Sequence, residues 1–248
     1  MLRSRTRAAI SSARESGIHV VVVTGRMFRS VQPYLEQAGL DDPAVCYQGA
    51  AVADPVSGEF LLHVPIPLEL AREAIAAVQE EGFGLNCYVD DELYVAEVTP
   101  EARRYADFQN LELHAVGPLL DWLDRPPTKL VVIDDPEVLD GLEARLKQRF
   151  RDRLYISKSL PYFLELAHPD VTKASGLAFL AERLGFTAAE TIAFGDGEND
   201  VELVEWAGFG VAVANAHERV LAAADFVCPS VEDEGVAQTI EALLDSPG

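Results

Sequence analysis

The segment 195–200 carries the side chains of this chain that are best suited to chemistry. It reads Gly-Asp-Gly-Glu-Asn-Asp and follows an apolar stretch at residues 191–194. Three carboxylates within five positions repel one another unless a cation lies among them, and the glycines let the backbone approach a ligand closely. Oxygen ligands at the end of a strand are typical of sites for a hard divalent cation. The segment therefore predicts a metal or phosphate site.

The same segment also has the features of a helix start. Asn199 followed by Glu202 fits a capping box, and acidic residues suit the N-terminus of a helix. Capping accounts for Asn199 and Glu202 but leaves residues 195–198 unexplained. A metal or phosphate site is therefore the favoured interpretation.

Two cations stand at predicted helix starts. Thr24, Gly25 and Arg26 follow an apolar strand, and a hydroxyl, a glycine amide and a guanidinium together suit a phosphate, although a plain turn is the commoner meaning of such a tripeptide. Lys173 falls in the first turn of its helix, where a solvated lysine is the commoner case. Because a cation there opposes the helix dipole, an anionic neighbour such as a phosphate or the acidic segment explains the charge of Lys173 better, and the position of Arg26 shifts the balance slightly towards a functional role.

The composition limits the possible partners. The chain has 248 residues, 49% of them hydrophobic, and its 41 acidic against 20 basic residues give a net charge of −21. Such a charge repels nucleic acid and anionic membrane surfaces, so an anionic substrate must be met by a few local cations or a metal. The apolar fraction predicts a globular protein with an ample core.

Other sequence features bear on compartment and reaction type. Cys46, Cys87 and Cys228 are scattered without metal-ligand spacing, which predicts reduced thiols in a cytoplasm. No apolar run approaches the roughly 20 residues of a membrane span, and no signal-peptide pattern is found, so we expect no membrane attachment. The motifs of serine hydrolases, dinucleotide-binding enzymes and P-loop enzymes do not occur.

Hydrophobic periodicity predicts an α/β domain that is interrupted by an α+β insert. The first α/β part, residues 1–66, is expected to contain helices at 2–13 and 27–38 and strands at 19–23, 44–47, 51–53 and 60–64. The insert, residues 67–160, is expected to contain helices at 68–81, from 100 and at 137–150, and strands at 85–89, 93–98, 129–134 and 154–157. The second α/β part, residues 161–248, is expected to begin with a strand at 162–166 and then to alternate helices at 173–184, 200–207, 218–223 and 236–244 with strands at 191–194, 210–213 and 226–227.

These motifs together resemble those of the haloacid dehalogenase superfamily. The run Val-Val-Val-Thr-Gly-Arg at 21–26, the isolated Lys173 and the run Ile-Ala-Phe-Gly-Asp-Gly-Glu-Asn-Asp at 192–200 look like its second, third and fourth motifs. Within that superfamily the chain is most similar to the Cof-type phosphatases, whose C2-type cap is inserted between motifs two and three. The resemblance covers essentially the whole chain.

The resemblance implies a fold, an activity and a set of site residues. The fold would be a Rossmann-like core with a parallel sheet, interrupted by the α+β cap. The activity would be Mg²⁺-dependent hydrolysis of small phosphorylated metabolites, such as sugar phosphates, through an aspartyl-phosphate. Seven residues receive roles: Lys173 in catalysis, Thr24, Gly25, Arg26 and Asn199 in substrate binding, and Asp196 and Asp200 in metal binding.

The chain departs from the family pattern at its nucleophile. In that family an Asp-x-Asp-Gly-Thr motif at the end of the first strand supplies the nucleophile, and this motif does not occur in the 248 residues. Asp90-Asp91 and Asp134-Asp135 also follow strands but lack the Gly-Thr. We therefore expect the chain to be an N-terminally shortened phosphatase that is inactive as given, with the first strand missing between the strands that end at Thr24 and near Gly195.

Two smaller departures concern the substrate. Tyr-Gln-Gly-Ala at 47–50 stands where the family usually has Asn-Gly-Ala, and Ala-Ser-Gly at 174–176 replaces the usual glycine directly after the lysine. Two alternatives stay open: a pseudoenzyme that binds phosphate without turnover, and a structural or partner protein whose acidic segment is only a cap. A kinase-like phosphotransferase is disfavoured because a nucleotide loop is lacking. The sequence leaves the specific substrate and the oligomeric state open.

Overall fold

The computed structural model describes residues 2–245, which fold into helices and strands in close alternation. The helices in this range are α1 (Ser4–Glu15), α2 (Phe28–Ala38), α3 (Leu68–Glu80), α4 (Pro100–Gln109), α5 (Leu119–Trp122), α6 (Pro136–Phe150), α7 (Lys173–Leu184), α8 (Val201–Trp206), α9 (Glu218–Ala223) and α10 (Gly235–Asp245). The strands are β1 (Ala44–Cys46), β2 (Ala51–Ala53), β3 (Phe60–His63), β4 (Asn86–Val89), β5 (Glu92–Val95), β6 (Leu113–Ala115), β7 (Lys129–Ile133), β8 (Tyr155–Leu160), β9 (Phe163–Ala167), β10 (Ile192–Gly195), β11 (Phe209–Val213) and β12 (Phe226–Cys228). In the described range, no helix combines the length and the apolar character that crossing a membrane requires.

The chain divides into two compact units. The core unit contains the residues up to Gly25, Val31–Leu62 and the residues from Thr172 onward, and the insert unit contains Arg26–Ser30 and His63–Val171. The sequence predicts the second boundary at residue 160. The structure moves it to Val171, because β9 pairs with both β7 and β8 in the sheet of the insert unit.

The core unit contains two small sheets. Strands β10, β11 and β12 form a parallel sheet in that order, and β1, β2 and β3 form a second sheet in which β1 and β2 are antiparallel. Apolar side chains of α7 and α8 pack against these strands, with Leu177, Leu180 and Leu203 among the buried residues. The helices therefore fix the ends of the strands at which the polar segments begin.

The valine run before Thr24 differs from its prediction. The sequence predicts a buried strand at residues 19–23, but the structure shows extended backbone with a single parallel bridge between Val23 and Val45. The Val45 N–H donates to Val22 O at 2.9 Å, and Thr24 N–H donates to Val45 O at 2.8 Å. On the opposite edge, the main-chain groups of Val21 and Val23 have no hydrogen-bond partner among residues 2–245, and their side chains are only half-buried.

The insert unit has one six-stranded sheet in the order β6-β5-β4-β7-β9-β8, in which only β5 and β6 are parallel neighbours. Alternate residues point to opposite faces of a strand, so Cys87 and Val89 join the apolar core with α3 and α6. Asn86 and Tyr88 belong to the other face. There the Tyr88 hydroxyl lies 2.5 Å from the Tyr105 hydroxyl of α4, so both faces of β4 are buried.

Two elements of the insert unit were not predicted from the sequence. Strand β6 and helix α5 have three and four residues, which is too short for a period of two or of 3.6 to show. Apart from the strand expected at 19–23, the predicted helices and strands occur in the structure within a few residues of their expected bounds.

Candidate active site

The acidic segment folds back on itself directly after β10. A Cβ built on Gly195 would lie 2.7 Å from the Asp200 Cβ and 2.9 Å from a Val204 methyl group, so only glycine fits at this position. The segment then enters a 3₁₀ turn, Glu198–Asp200, which leads into α8. This close turn explains why the sequence needs a glycine immediately before Asp196.

Asp200 holds the segment together from the inside. Its carboxylate is buried, and its Oδ2 accepts hydrogen bonds from the backbone N–H groups of Asp196 and Gly197, both at 3.0 Å. Its Oδ1 accepts from Lys173 Nζ at 2.5 Å. Both carboxylate oxygens therefore have protein donors, so the geometry favours an orienting role for Asp200.

Lys173 is the first residue of α7 and only 8% exposed. Besides its ion pair with Asp200, its ammonium donates to Asn199 Oδ1 at 3.3 Å. The anionic neighbour that the sequence predicts for this lysine is thus the acidic segment. A buried ammonium with two oxygen partners has one donor left, and that donor suits a bound anion.

A capping box fixes the start of α7. Ser175 N–H donates to Thr172 Oγ1 at 3.0 Å, and Thr172 N–H donates to Ser175 Oγ at 2.9 Å. Ser175 belongs to the departure from the family pattern after Lys173, and this reciprocal pair gives it a structural purpose.

Gln48 connects the two polar segments, a role that the sequence alone does not indicate. Its backbone N–H donates to Thr24 O at 3.1 Å, and its side-chain Oε1 accepts from Asn199 Nδ2 at 3.0 Å. A Cβ built on Gly25 would lie 2.4 Å from Gln48 Nε2, so the amide rests directly on the glycine. Gln48 stands in the departure at 47–50, but a contact across 151 positions leaves no signal in a single sequence.

The turn that carries Gln48 has an uncommon backbone. Tyr47, Gln48 and Gly49 have φ values of 52°, 61° and 103°. Non-glycine residues rarely adopt a positive φ, and such conformations cluster at functional sites. A Cβ on Gly49 would lie 1.9 Å from Thr172 O, so this turn packs directly on the start of α7.

Asp196 is the first of the three carboxylates in the acidic segment and lies nearer to solvent than Asp200. It forms no ion pair with another residue in the range 2–245. Partial burial of the carboxyl group and the nearby Asp200 carboxylate raise its pKa, while the Lys173 ammonium acts in the opposite direction. Surplus negative charge of this kind is relieved by a bound cation.

The carboxylate oxygens of the acidic segment fit part of a Mg²⁺ coordination sphere. In the described residues, no group of three or more His, Cys, Asp or Glu side chains is arranged to hold a metal ion. Mg²⁺ commonly binds through one or two carboxylates together with water and phosphate oxygens, so Asp196 alone can provide the contribution of this segment. The third carboxylate, Glu198, pairs instead with Arg219 at 2.7 Å.

Arg26 belongs to the insert unit, unlike the other predicted site residues. Its guanidinium donates to Ser30 Oγ at 3.2 Å and lies 5.9 Å from the centre of the Phe108 ring. At the start of the helix that follows, the Asp91 carboxylate accepts from Phe28 N–H at 3.0 Å and from Arg29 N–H at 2.9 Å, so these two amides already have an anionic partner within the protein.

The comparisons with known proteins agree with this geometry. A family model described as haloacid dehalogenase-like hydrolase matches residues 1–240. The chain belongs to this family. It is 30% identical to YxeH of Bacillus subtilis (strain 168), provisionally named a phosphatase, over 96% of this chain and 90% of YxeH. It is 28% identical to the pyridoxal phosphate phosphatase YbhA of Escherichia coli (strain K12), over 95% of this chain and 90% of YbhA.

A solved structure shows the same fold. The crystal structure of TM0651 from Thermotoga maritima superimposes with a TM-score of 0.86 at 32% sequence identity, over 100% of this chain and 92% of TM0651. The predicted fold class is confirmed: a Rossmann-like core with a parallel sheet, interrupted by an α+β cap domain. The predicted family is also confirmed, and relatives named as phosphatases support a phosphatase activity.

Proposed function

We propose that this protein is a Mg²⁺-dependent phosphatase that hydrolyses small phosphorylated metabolites through an aspartyl-phosphate. The observation that carries the proposal is the buried contact of Lys173 with Asp200 and Asn199 beside the exposed carboxylate of Asp196. Gln48 joins this cluster to the turn at Thr24. A cation, a turn rich in donors and a carboxylate are the groups that phosphoryl transfer needs around the phosphate.

Each residue has a role that follows from its surroundings. The Lys173 ammonium neutralises charge on the phosphoryl oxygens, and Asp200 keeps that ammonium in place. The Thr24 hydroxyl and the Gly25 N–H donate to the phosphate oxygens. The side chain of Asn199 orients the phosphate. Bound Mg²⁺, held by Asp196, would further reduce the negative charge of the transferring group.

The substrate class follows from charge and from the relatives. YbhA is named for pyridoxal phosphate, a small phosphorylated metabolite, and we extend this class to the present chain. A net charge of −21 disfavours nucleic acid, and the insert unit would act as the cap that selects the substrate. All three cysteines are buried free thiols, which supports a reducing cytoplasm as the compartment.

We further propose that the aspartate nucleophile lies on an additional parallel strand outside these 248 residues. The motif Asp-x-Asp-Gly-Thr does not occur in the sequence. In the core unit, β10 is an edge strand, and Val21 and Val23 have main-chain groups without partners in the described range. Parallel strands usually lie inside sheets with neighbours on both sides. One added strand between these two edges would supply the missing hydrogen bonds and the carboxylate.

Hydrolysis of 4-nitrophenyl phosphate tests this function. The 248-residue chain is compared with a form extended at its N-terminus by the in-frame upstream codons, each with Mg²⁺ and with a chelator. We expect turnover only from the extended form with Mg²⁺, and loss of that turnover in its Asp196→Asn variant. A soluble, cooperatively folding 248-residue chain with an upstream stop codon and no turnover would contradict the proposal and favour a phosphate-binding pseudoenzyme.

A further inference from the structure

The insert unit contains a cleft whose lining includes none of the residues assigned to phosphate and metal, although the Arg26 guanidinium lies 5.9 Å from the centre of the Phe108 ring in that lining. The cleft has a volume of about 800 Å³ and is lined by residues of α4, of the sheet and of the adjoining loops. Four aromatic side chains contribute to its lining: Tyr105, Phe108, Tyr162 and Phe163. The Tyr105 and Phe163 rings meet edge to face at 4.9 Å, and the Phe108 ring lies 6.2 Å from Phe163. The volume is in the range of small-molecule sites.

A buried polar group in the lining lacks a partner. Asn86 of β4 is 3% exposed, and its Nδ2 has no hydrogen-bond partner in the described residues. Asn86 lines the cleft. A buried N–H without an acceptor destabilises a folded protein, and such groups are rare in native structures unless a ligand or water satisfies them. The amide is therefore available to donate to a ligand oxygen.

The charge of the lining favours a cation. Four carboxylates and one guanidinium belong to the lining, and Arg104 is paired with Glu101 at 3.0 Å. The remaining three, Glu97, Asp134 and Asp135, form no ion pair with residues in the range 2–245. Aromatic rings together with carboxylates are the groups that recognise organic ammonium ions.

We propose that this cleft binds a small organic amine. The ring or other apolar body of the ligand lies among the aromatic side chains, its ammonium faces Glu97 and Asp134, and a hydroxyl or carbonyl oxygen accepts from Asn86. The proposal goes beyond the phosphatase function and does not depend on it, because neither Mg²⁺ nor an aspartate nucleophile takes part.

Calorimetric titration of the full chain in a metal-free, low-salt buffer tests the proposal with tyramine as the probe. Tyramine has an aromatic ring, an ammonium and a phenolic oxygen. 4-Ethylphenol lacks its charge, and 3-(4-hydroxyphenyl)propionate reverses it. We expect tyramine to bind at least tenfold more tightly than either control. Absence of tyramine binding, or equal affinity for tyramine and 4-ethylphenol, would overturn the proposal.

Variants separate the contribution of the Asn86 amide from that of the carboxylates. Asn86→Leu should weaken tyramine binding at least fivefold and raise the melting temperature of the ligand-free protein, because it removes an unsatisfied buried donor. The double variant Glu97→Gln/Asp134→Asn should also weaken binding. The control Asp107→Asn/Glu112→Gln removes two exposed acids of the insert unit outside the cleft and should leave binding unchanged. Equal affinity of Asn86→Leu and the parent would show that the amide has no role and contradict the assignment.

The outcome is distinguishable from a failure of the phosphatase proposal. Titration of inorganic phosphate with Mg²⁺ into Asn86→Leu should match the parent, since Thr24 and Lys173 lie in the core unit and Arg26, in the insert unit, keeps its own partner Ser30 in this variant. If Asn86→Leu loses tyramine binding and still binds phosphate as the parent does, the substitution affects the cleft and leaves the proposed phosphate site intact.

Discussion

The buried pair of Lys173 and Asp200 is the contact on which the site depends at the scale of single residues. Both side chains are more than nine-tenths buried, and Asp200 also accepts two backbone hydrogen bonds. A buried ion pair contributes little net stability compared with apolar residues, but removal of one partner leaves an uncompensated charge in a low-dielectric environment. The pair therefore serves to position the ammonium and the acidic segment.

Lys173→Met should destabilise the core unit by about 3 kcal/mol, because the buried Asp200 carboxylate loses its counter-charge. Urea unfolding followed by Trp206 fluorescence, with Trp122→Phe as the background, reports on this unit, since each unit contains one tryptophan. The control is Arg5→Met, which removes an exposed pair with Glu241 in the same unit and should cost much less. Equal losses in the two variants would show that the buried pair is unimportant.

Asp196 should give the protein a distinct pH dependence. Its pKa is raised in the folded state, so folding favours the protonated carboxyl group. The protein is therefore relatively stabilised at a pH below the unfolded-state pKa of this group, and this stabilisation is lost as the pH rises through the folded-state pKa. At neutral pH without metal, Asp196→Asn should therefore have a higher melting temperature than the parent, with a smaller difference at pH 4. Glu198→Gln, two residues away and paired with Arg219, is the control and should not show this gain.

At the scale of elements, the site depends on the approach of the turn at Gly49 to the start of α7. Gly176 of α7 reinforces this contact, since a Cβ there would lie 2.8 Å from the Gly49 Cα and 2.5 Å from a Val45 methyl group. The backbone contact brings Gln48 to a position where its amide reaches Asn199. Two glycines thus determine the distance between the Thr-Gly turn and the acidic segment.

Gly49→Ala should destabilise the core unit by at least about 2 kcal/mol, because the new Cβ would overlap Thr172 O and the φ of 103° suits only glycine. The matched control is Gly58→Ala in the same unit, where φ is 76° and a Cβ would have no atom within 4 Å, so that only the contact with Thr172 O differs. The denaturant midpoints of the two variants are compared. A Gly49→Ala midpoint equal to that of Gly58→Ala would contradict the close packing.

The sequence predicts this site as far as its information is local. Lys173, Asp196 and Asp200 stand in short segments whose spacing shows a helix start and a carboxylate-rich loop, and the structure joins Lys173 to Asp200. Gln48 and Asp91 act through contacts 151 and 63 positions away, which periodicity and turn chemistry do not encode. The partial pairing of the valine run also lay beyond prediction, because β-propensity describes a strand and not its neighbours.

At the scale of the whole molecule, the chain combines two compact units, each with its own apolar core. Among residues 2–245, β10 has a neighbouring strand on one side only, and an edge strand offers its free N–H and C=O groups to other chains. Ile192 at the start of β10 is 40% exposed, which adds apolar surface at one such edge.

Open edges should make the 248-residue chain associate at high concentration. Ile192→Lys should reduce this association, because a charge on an edge strand opposes strand pairing between molecules. Sedimentation velocity across a hundredfold concentration range measures the effect, with Val56→Lys as a control that changes an exposed residue in a turn. If the two variants associate equally, the contact between molecules lies elsewhere on the surface.

Asp196 and its neighbours are proposed to form a joint site for Mg²⁺ and phosphate. Calorimetric titration of inorganic phosphate, with Mg²⁺ and with chelator, tests it most directly in the parent, in Asp196→Asn and in the control Glu198→Gln. We predict that the parent and Glu198→Gln bind phosphate only with Mg²⁺, and that Asp196→Asn binds it at least about tenfold more weakly, a difference of about 1.4 kcal/mol. Phosphate binding that is indifferent to Mg²⁺, or equally tight in Asp196→Asn and Glu198→Gln, would contradict the claim.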